Sequence, residues 1–245
     1  MDPLDLAIAA ARAAGTLLRA NFGTQLRVNA LEAHDIKLEL DVQSQTLITG
    51  MILDQFPGHA IYGEEGIAGN QASDFHWIID PIDGTVNFFY GIPHFCISIA
   101  LRERQEIIVG VIYDPMRDEM WEVRKGGIPL LNGKPIAVSR RRELADSVLS
   151  VGFSKSKTTI DTGMPLFQDM VYRARKCRLM GSAALDMAYI AAGRLDGYIE
   201  QSVSLWDIAA GIILIERAGG VVKTSTRSDY PDKYSVVASN GLLPI

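Results

Sequence analysis

Two aspartates, Asp80 and Asp83, stand three positions apart in the stretch His76-Trp77-Ile78-Ile79-Asp80-Pro81-Ile82-Asp83-Gly84-Thr85. Carboxylates on one tight turn can hold a hard cation through oxygen. Trp77, Ile78 and Ile79 form a short apolar run, which suits a strand buried on both faces. Pro81 has no N–H and Gly84 tolerates positive φ, so the strand is expected to stop at Asp80 and turn. Thr85 is expected to cap a following helix, leaving backbone N–H groups free beside the carboxylates. A cation site would then adjoin an anion site. The bland rival is a surface Asp-Gly turn.

Two further acidic points share the same context, an apolar segment running into a turn or a helix start: Gly63-Glu64-Glu65 and Trp206-Asp207. Two carboxylates ~4 Å apart at a partly buried site repel by roughly 4 kcal/mol. Four together need cations. The set is all oxygen, with no His or Cys at chelating spacing, so Mg²⁺ or Mn²⁺ is preferred to Zn²⁺. Two such ions beside anion-binding N–H groups suit hydrolysis of a phosphate ester. No Gly-x-Ser-x-Gly elbow and no Gly-x-x-x-x-Gly-Lys-Ser/Thr loop is present, which disfavours a serine hydrolase and a nucleotide triphosphatase.

The totals agree with an ordinary globular chain. In 245 residues, apolar types make up 48% and charged types 22%, enough for a substantial core. The net charge of −5 gives no reason to expect a nucleic-acid polymer or an anionic membrane as partner. The run Arg140-Arg141-Arg142 reads as a solvated loop. Cys96 and Cys177 lie far apart with no Cys-x-x-Cys spacing, which fits a reducing compartment. The acidic start Met1-Asp2-Pro3-Leu4-Asp5 argues against a targeting peptide, and the apolar segment 208–215 is too short to span a bilayer. A cytoplasmic protein is expected.

These acids must be positioned by helices and strands, and the patterning supplies both. Apolar residues at helical spacing predict a helix over 4–22 that Gly23 stops, and a second over 41–56 that Pro57-Gly58 ends. Residues 24–34 have no period and read as a loop. Residues 59–62 read as a strand, 96–101 and 107–113 as a hairpin, and 119–123 as a third antiparallel strand. Gly126-Gly127 and Asn132-Gly133 mark turns. Strands are expected at 147–151, 195–200, 221–222 and 236–238, and helices over 183–192 and from 205 to Gly219-Gly220. Hairpins mixed with single βα units predict stacked helix and sheet layers, α/β or α+β; the length admits one large domain or two small ones, and no linker is visible. His34, His59, His76 and His94 read as loop or packing residues, Met180 and Met187 as core, and Trp206 as a packing residue.

With these motifs in order, the chain resembles the inositol monophosphatase family of Mg²⁺-dependent, lithium-sensitive phosphatases over nearly its whole length. The resemblance rests on Gly-Glu-Glu at 63–65, Trp-Ile-Ile-Asp-Pro-Ile-Asp-Gly-Thr at 77–85, Asn87-Phe88, Gly-Ser-Ala-Ala at 181–184 with Glu200 downstream, and Trp-Asp-Ile-Ala-Ala-Gly at 206–211. It implies a layered αβαβα sandwich in a single domain over 1–245, a homodimer, and a small phosphorylated metabolite as substrate. Inositol monophosphate leads, with fructose 1,6-bisphosphate, histidinol phosphate and 3′-phosphoadenosine 5′-phosphate as alternatives. A non-catalytic, metal-binding regulatory relative is the rival from another class.

By the same resemblance, Glu64, Asp80 and the Ile82 carbonyl would hold one Mg²⁺. Asp80, Asp83 and Asp207 would hold a second, with Asp80 bridging, and Glu64 would touch a weaker third ion through water. Thr85 with Asp41 would orient the attacking water, with Glu64 and Asp83 completing the catalytic set. Glu65 would stand behind the ligands. Gly84 and Thr85 N–H groups would bind phosphate, and Asp83 and Asp207 would face it. Gly181, Ser182, Ala183 and Glu200 would line the alcohol side. The chain departs from the family pattern Asp-x-Val-Thr-x-x-Asp, reading Lys37-Leu38 in place of Val-Thr, and carries Gly66 and Val86 at two other common Ser and Thr positions.

Overall fold

The computed structural model describes residues 1–32, 35–153, 157–226 and 233–245. His34 and the end of the expected loop therefore lie outside the described residues. The chain opens with α1 (Pro3–Asn21), whose first turn is closed by the Asp2 carboxylate accepting from Leu4 N–H. Next come β1 (Val28–Glu32), β2 (Asp35–Leu38), α2 (Glu39–Gln55), β3 (Ala60–Gly63), β4 (Gly66–Gly69) and β5 (Phe75–Asp83). A short helix, α3 (Thr85–Phe89), is followed by the meander β6 (Cys96–Glu103), β7 (Glu106–Asp114), β8 (Glu119–Arg124), β9 (Leu130–Leu131) and β10 (Lys134–Pro135). The second half holds β11 (Val148–Val151), α4 (Lys157–Arg173), β12 (Lys176–Arg178), α5 (Ala183–Ala191), β13 (Gly197–Ser204), α6 (Leu205–Arg217), β14 (Val221–Thr226) and β15 (Lys233–Ser239).

These elements stack as helix, sheet, helix, sheet, helix, the αβαβα order expected. The larger sheet runs β10-β9-β8-β7-β6-β5-β3-β4 and the smaller β12-β11-β13-β15-β14. Strand alternation sends Trp77, Ile79, Ile97 and Ile99 to one face of the larger sheet, against Ala7, Ala14, Ile48 and Ile52 of α1 and α2. Ile78, Ala100 and Ile112 point the other way, against α5 and α6, which also meet Tyr198 and Val236 of the smaller sheet. Ile199, one residue on from Tyr198, faces outward to Met170 of α4.

Three expectations are corrected. The strand carrying the paired acids does not stop at Asp80 but continues to Asp83, with its register against β6 slipping between the two. Pro81 sits in that irregular stretch, where no ladder N–H is required. Thr85 is the first helical residue; the cap position belongs to Gly84. Part of the supposed loop 24–34 is strand β1, paired with β2 across a bulge. Helix α4 had no counterpart in the sequence reading.

Candidate functional site

Strands β3 and β5 run parallel as neighbours, with Gly63 beside Ile79, so their carboxyl ends open on the same side. Glu64 follows β3 directly, and Asp80 and Asp83 occupy the end of β5. Open α/β sheets place ligands at such ends. Facing them, α6 begins at Leu205 and α5 at Ala183. Two strand ends and two helix N-termini thus converge.

Asp80, Asp83 and Asp207 each offer a carboxylate oxygen, all within 4.8 Å of one another. Each acid is held from behind. Asp80 Oδ1 accepts from Ile82 N–H at 3.0 Å, which closes the turn around Pro81. Asp83 Oδ2 accepts from the Ser182 hydroxyl at 2.5 Å and from Ala184 N–H at 2.7 Å. Asp207, at the third position of α6, reaches back to accept from Ser204 N–H at 2.8 Å. The positive ends of α5 and α6 favour the anionic forms.

The surroundings push against ionisation. Burial, then the charges of Glu64, Asp83 and Asp207, raise Asp80 well above the usual carboxylate range. Burial and the nearby Asp207 push Asp83 up to about 7, although its Ser182, Ala184 and Ala183 donors pull the other way. An oxygen-only set of crowded, buried carboxylates has the donor chemistry of a hard divalent cation, whose charge would return all of them to the ionised form. The residues fit such an ion.

The acids border a cavity of about 810 Å³, shared with Glu64, Ile82, Gly84 and Thr85 on one side and Gly181, Ser182, Ala183 and Glu200 on the other. Thr85 Oγ1 donates to the Ile82 carbonyl at 2.9 Å. Gly84 adopts φ 97°, and a Cβ there would lie 3.0 Å from the His94 carbonyl oxygen and 3.1 Å from that of Gly181. Only glycine suits that conformation and that space. Asp41 is buried and accepts from Leu38 N–H at 2.7 Å, which closes α2 in the absence of a side-chain cap at Leu38. Lys37 pairs with Glu65 at 3.9 Å. Ser182 lines the cavity, and its hydroxyl is directed at Asp83.

Glu200 stands on β13 two residues from Tyr198, so both share a face, and the Tyr198 hydroxyl donates to Glu200 Oε2. Room for this carboxyl depends on Gly152, whose absent side chain would overlap it. Burial raises Glu200 to about 7. Sequence reasoning missed several supports. Gln45 of α2 accepts from Glu65 N–H at 2.9 Å and donates to the Gly66 carbonyl at 3.1 Å, bracing the Glu64 turn. Asn87 donates to the carbonyls of His94 at 2.8 Å and Met180 at 2.9 Å, tying α3 to the approach to α5. A polar residue on the inner face of α2 is the available signal for Gln45; the sequence marks Asn87 only through its place beside Phe88 in the motif that follows Thr85. Among the described histidines, His59 packs between Phe56 and Phe75, with ring centroids 4.7 and 4.8 Å away. Trp206 packs against Tyr62 at 5.5 Å.

The family model for inositol monophosphatases matches residues 2–244. The chain belongs to the inositol monophosphatase family. Nus factor SuhB of Pasteurella multocida is 39% identical over 230 residues, covering 91% of this chain and 85% of that protein. The extragenic suppressor protein suhB of Bartonella henselae superposes with a TM-score of 0.91 at 32% identity, covering 99% of this chain and 95% of that one. An inositol monophosphatase from Anabaena (Nostoc) has a TM-score of 0.84 at 37% identity, covering 98% and 90%. Family membership supports a phosphatase and a metal-binding acidic cluster. Two kinds of name, enzyme and Nus factor, occur among the relatives.

Proposed function

We propose that this protein is a Mg²⁺-dependent phosphomonoesterase acting on a small phosphorylated alcohol, with inositol monophosphate first among the candidates. The observation that carries the reading is the convergence of Asp80, Asp83 and Asp207 within 4.8 Å on one cavity that also exposes the starts of two helices. Glu64, Asp80 and the Ile82 carbonyl would hold one cation, and Asp80, Asp83 and Asp207 a second, with a third, weaker ion near Glu64. Mn²⁺ would serve in the same sites. The cations supply Lewis acidity and offset the negative charge of the phosphoryl group.

The chain's own groups do the rest. Gly84 and Thr85 present backbone N–H groups to the phosphate oxygens, and Thr85 with Asp41 orients the attacking water. Ser182 keeps the Asp83 oxygen aimed by donating to it. Glu200 accepts a hydrogen bond from a hydroxyl of the leaving alcohol, with Gly181 and Ala183 beside it. Fructose 1,6-bisphosphate, histidinol phosphate and 3′-phosphoadenosine 5′-phosphate are the alternatives on the same chemistry. We further propose a homodimer in the cytoplasm, with no nucleic-acid or membrane partner. Among the described residues no helix is long and apolar enough to cross a membrane, and both cysteines are free thiols.

The name Nus factor, borne by relatives as similar as 39% identical, favours a second reading: a family member that works by binding a partner. Phosphate release separates the two. The assay takes inositol 1-phosphate and the three alternative substrates, each with Mg²⁺ and with chelator. Mg²⁺-dependent turnover with one preferred ester supports the first reading. No release from any ester, with Mg²⁺ bound by calorimetry, overturns it in favour of the second.

A further inference from the structure

The cavity that holds the acidic cluster changes character from floor to mouth. Its floor carries buried carboxyls, with Asp80 1% and Asp83 8% exposed. Its mouth is apolar: Val86 and Tyr90 line it from α3 and the end of α3, Leu179 and Met180 from the approach to α5, Phe153 from beyond β11 and Ile160 from α4. Val86, Tyr90 and Leu179 are 39%, 68% and 58% exposed. One exposed apolar side chain is ordinary. Several from separate elements around one opening form a patch, and apolar patches beside a cavity mark ligand grooves.

The fold places these residues together. Tyr90 N–H donates to the Val86 carbonyl at 3.1 Å, so the two side chains, four positions apart, share one helical face. Between them Asn87 donates to the Met180 carbonyl at 2.9 Å, which sets Leu179 and Met180 beside that face. The Tyr90 ring meets Phe89 edge-on at 5.2 Å, and Phe153 meets Phe167 edge-on at 5.6 Å. Two aromatic rings, each already packed against a neighbour, thus border the opening. Met180 runs directly into Gly181, on the side assigned to the leaving alcohol, so the patch continues the substrate site. A cavity of about 810 Å³ encloses a drug-sized ligand, more than a sugar alcohol with one phosphate fills.

We propose that this mouth is a subsite for an aromatic group carried on the alcohol half of the substrate, so that the ester lies with its phosphate at the acidic floor and a ring against Tyr90 and Leu179. This deepens the phosphatase reading above and rests on it. Covering the ring and the patch removes apolar surface from water, and edge-to-face contact with Tyr90 and Phe153 adds to that gain.

The test compares n-propyl phosphate with 3-phenylpropyl phosphate, which share a primary alkyl leaving group and differ by one ring, with inositol 1-phosphate as the activity control, all with Mg²⁺. The preference is the ratio of kcat/KM for the two alkyl esters within each protein, so a general loss of activity cancels. The wild type should prefer the phenylpropyl ester by about tenfold, through KM, the scale of burying one ring in a half-open site. Tyr90→Ser and Leu179→Ser should each cut that preference by about threefold or more. Tyr172→Ser, at an 81% exposed ring on a separate groove of α4, should leave it unchanged. A wild type active on inositol 1-phosphate but showing no preference for the phenylpropyl ester overturns this inference alone. So does a preference that survives in both variants, or one that falls equally in Tyr172→Ser. A wild type inactive on all three esters overturns the phosphatase reading and this inference with it.

Discussion

The carboxylate of Asp83 accepts a 2.7 Å hydrogen bond from the backbone N–H of Ala184, a residue 101 positions later in the chain. The end of a strand in the larger sheet is thereby fastened to the start of a helix that packs between the two sheets. Ser182 completes the joint, since its hydroxyl donates to Asp83 at 2.5 Å and accepts from Leu185 N–H at 3.4 Å as the cap of α5. Site geometry and the docking of α5 are one structural fact.

Ser182→Ala should therefore lose a helix cap and a buried donor together, at a cost of ~1–2 kcal/mol. For a chain of this size that corresponds to a fall in melting temperature of roughly 2–8 °C. Scanning calorimetry of both proteins in chelator checks it, and an unchanged midpoint would show that Asp83 is held without Ser182.

Asp80→Asn should separate stability from activity. Asp80 is 1% exposed and faces the charges of Glu64, Asp83 and Asp207, so an amide relieves repulsion in the absence of metal. In chelator the variant should melt at or above the wild-type temperature. Mg²⁺ at about 100 times its dissociation constant should stabilise the wild type by ~2.7 kcal/mol and the variant by much less. Phosphate release should be lost. A variant that responds to Mg²⁺ like the wild type would refute the proposed role of Asp80 as a cation ligand.

The reasons this site was legible in the sequence also explain what was not. Glu64, Asp80 and Asp83 each adjoin an apolar strand, so burial and turn position could be read from neighbours a few residues away. Their gathering with Asp207 depends on the parallel pairing of β3 with β5 and on α6 crossing the sheet, which no local pattern encodes. The strand β5 outran its expected end because the bulge between Asp80 and Asp83 absorbs Pro81, a tertiary accommodation. Helix α4 left no local signal: the sequence of its first turn carries Thr158 and Thr159, and Gly163 and Pro165, both poor helix formers, lie inside it. Arg141, read as part of a solvated basic run, instead grips buried Asp196 at 2.8 Å.

Gly84→Ala should disable the site without removing any acid. The residue holds φ 97°, and a methyl group would press on the carbonyls of His94 and Gly181 at 3.0 and 3.1 Å. The backbone conformation alone costs a non-glycine residue ~1–3 kcal/mol. Displacing this turn also moves the N–H groups proposed to hold phosphate. The expected outcome is a melting temperature lower by several degrees and a rise in KM for the phosphate ester. Wild-type KM would place the phosphate elsewhere.

Stability without metal should fall as pH rises through the weakly acidic range. Burial lifts Glu200 from its usual 4.5 to about 7 and Asp83 from 3.8 to about 7. Below the unfolded values both forms of the chain are protonated, and neither group changes the balance. Between the unfolded and folded values the folded chain binds more protons than the unfolded one, so each added pH unit costs stability until both groups ionise near pH 7. Denaturant titrations in chelator from pH 4 to pH 8 should therefore show a declining free energy of unfolding that levels off above neutrality. Glu200→Gln should flatten part of the slope while preserving an acceptor for the Tyr198 hydroxyl. Saturating Mg²⁺ should remove the Asp83 part, since a bound cation stabilises its ionised form, and leave the Glu200 part in place. A slope of the opposite sign, or one insensitive to both changes, would show that neither carboxyl is held in its protonated form.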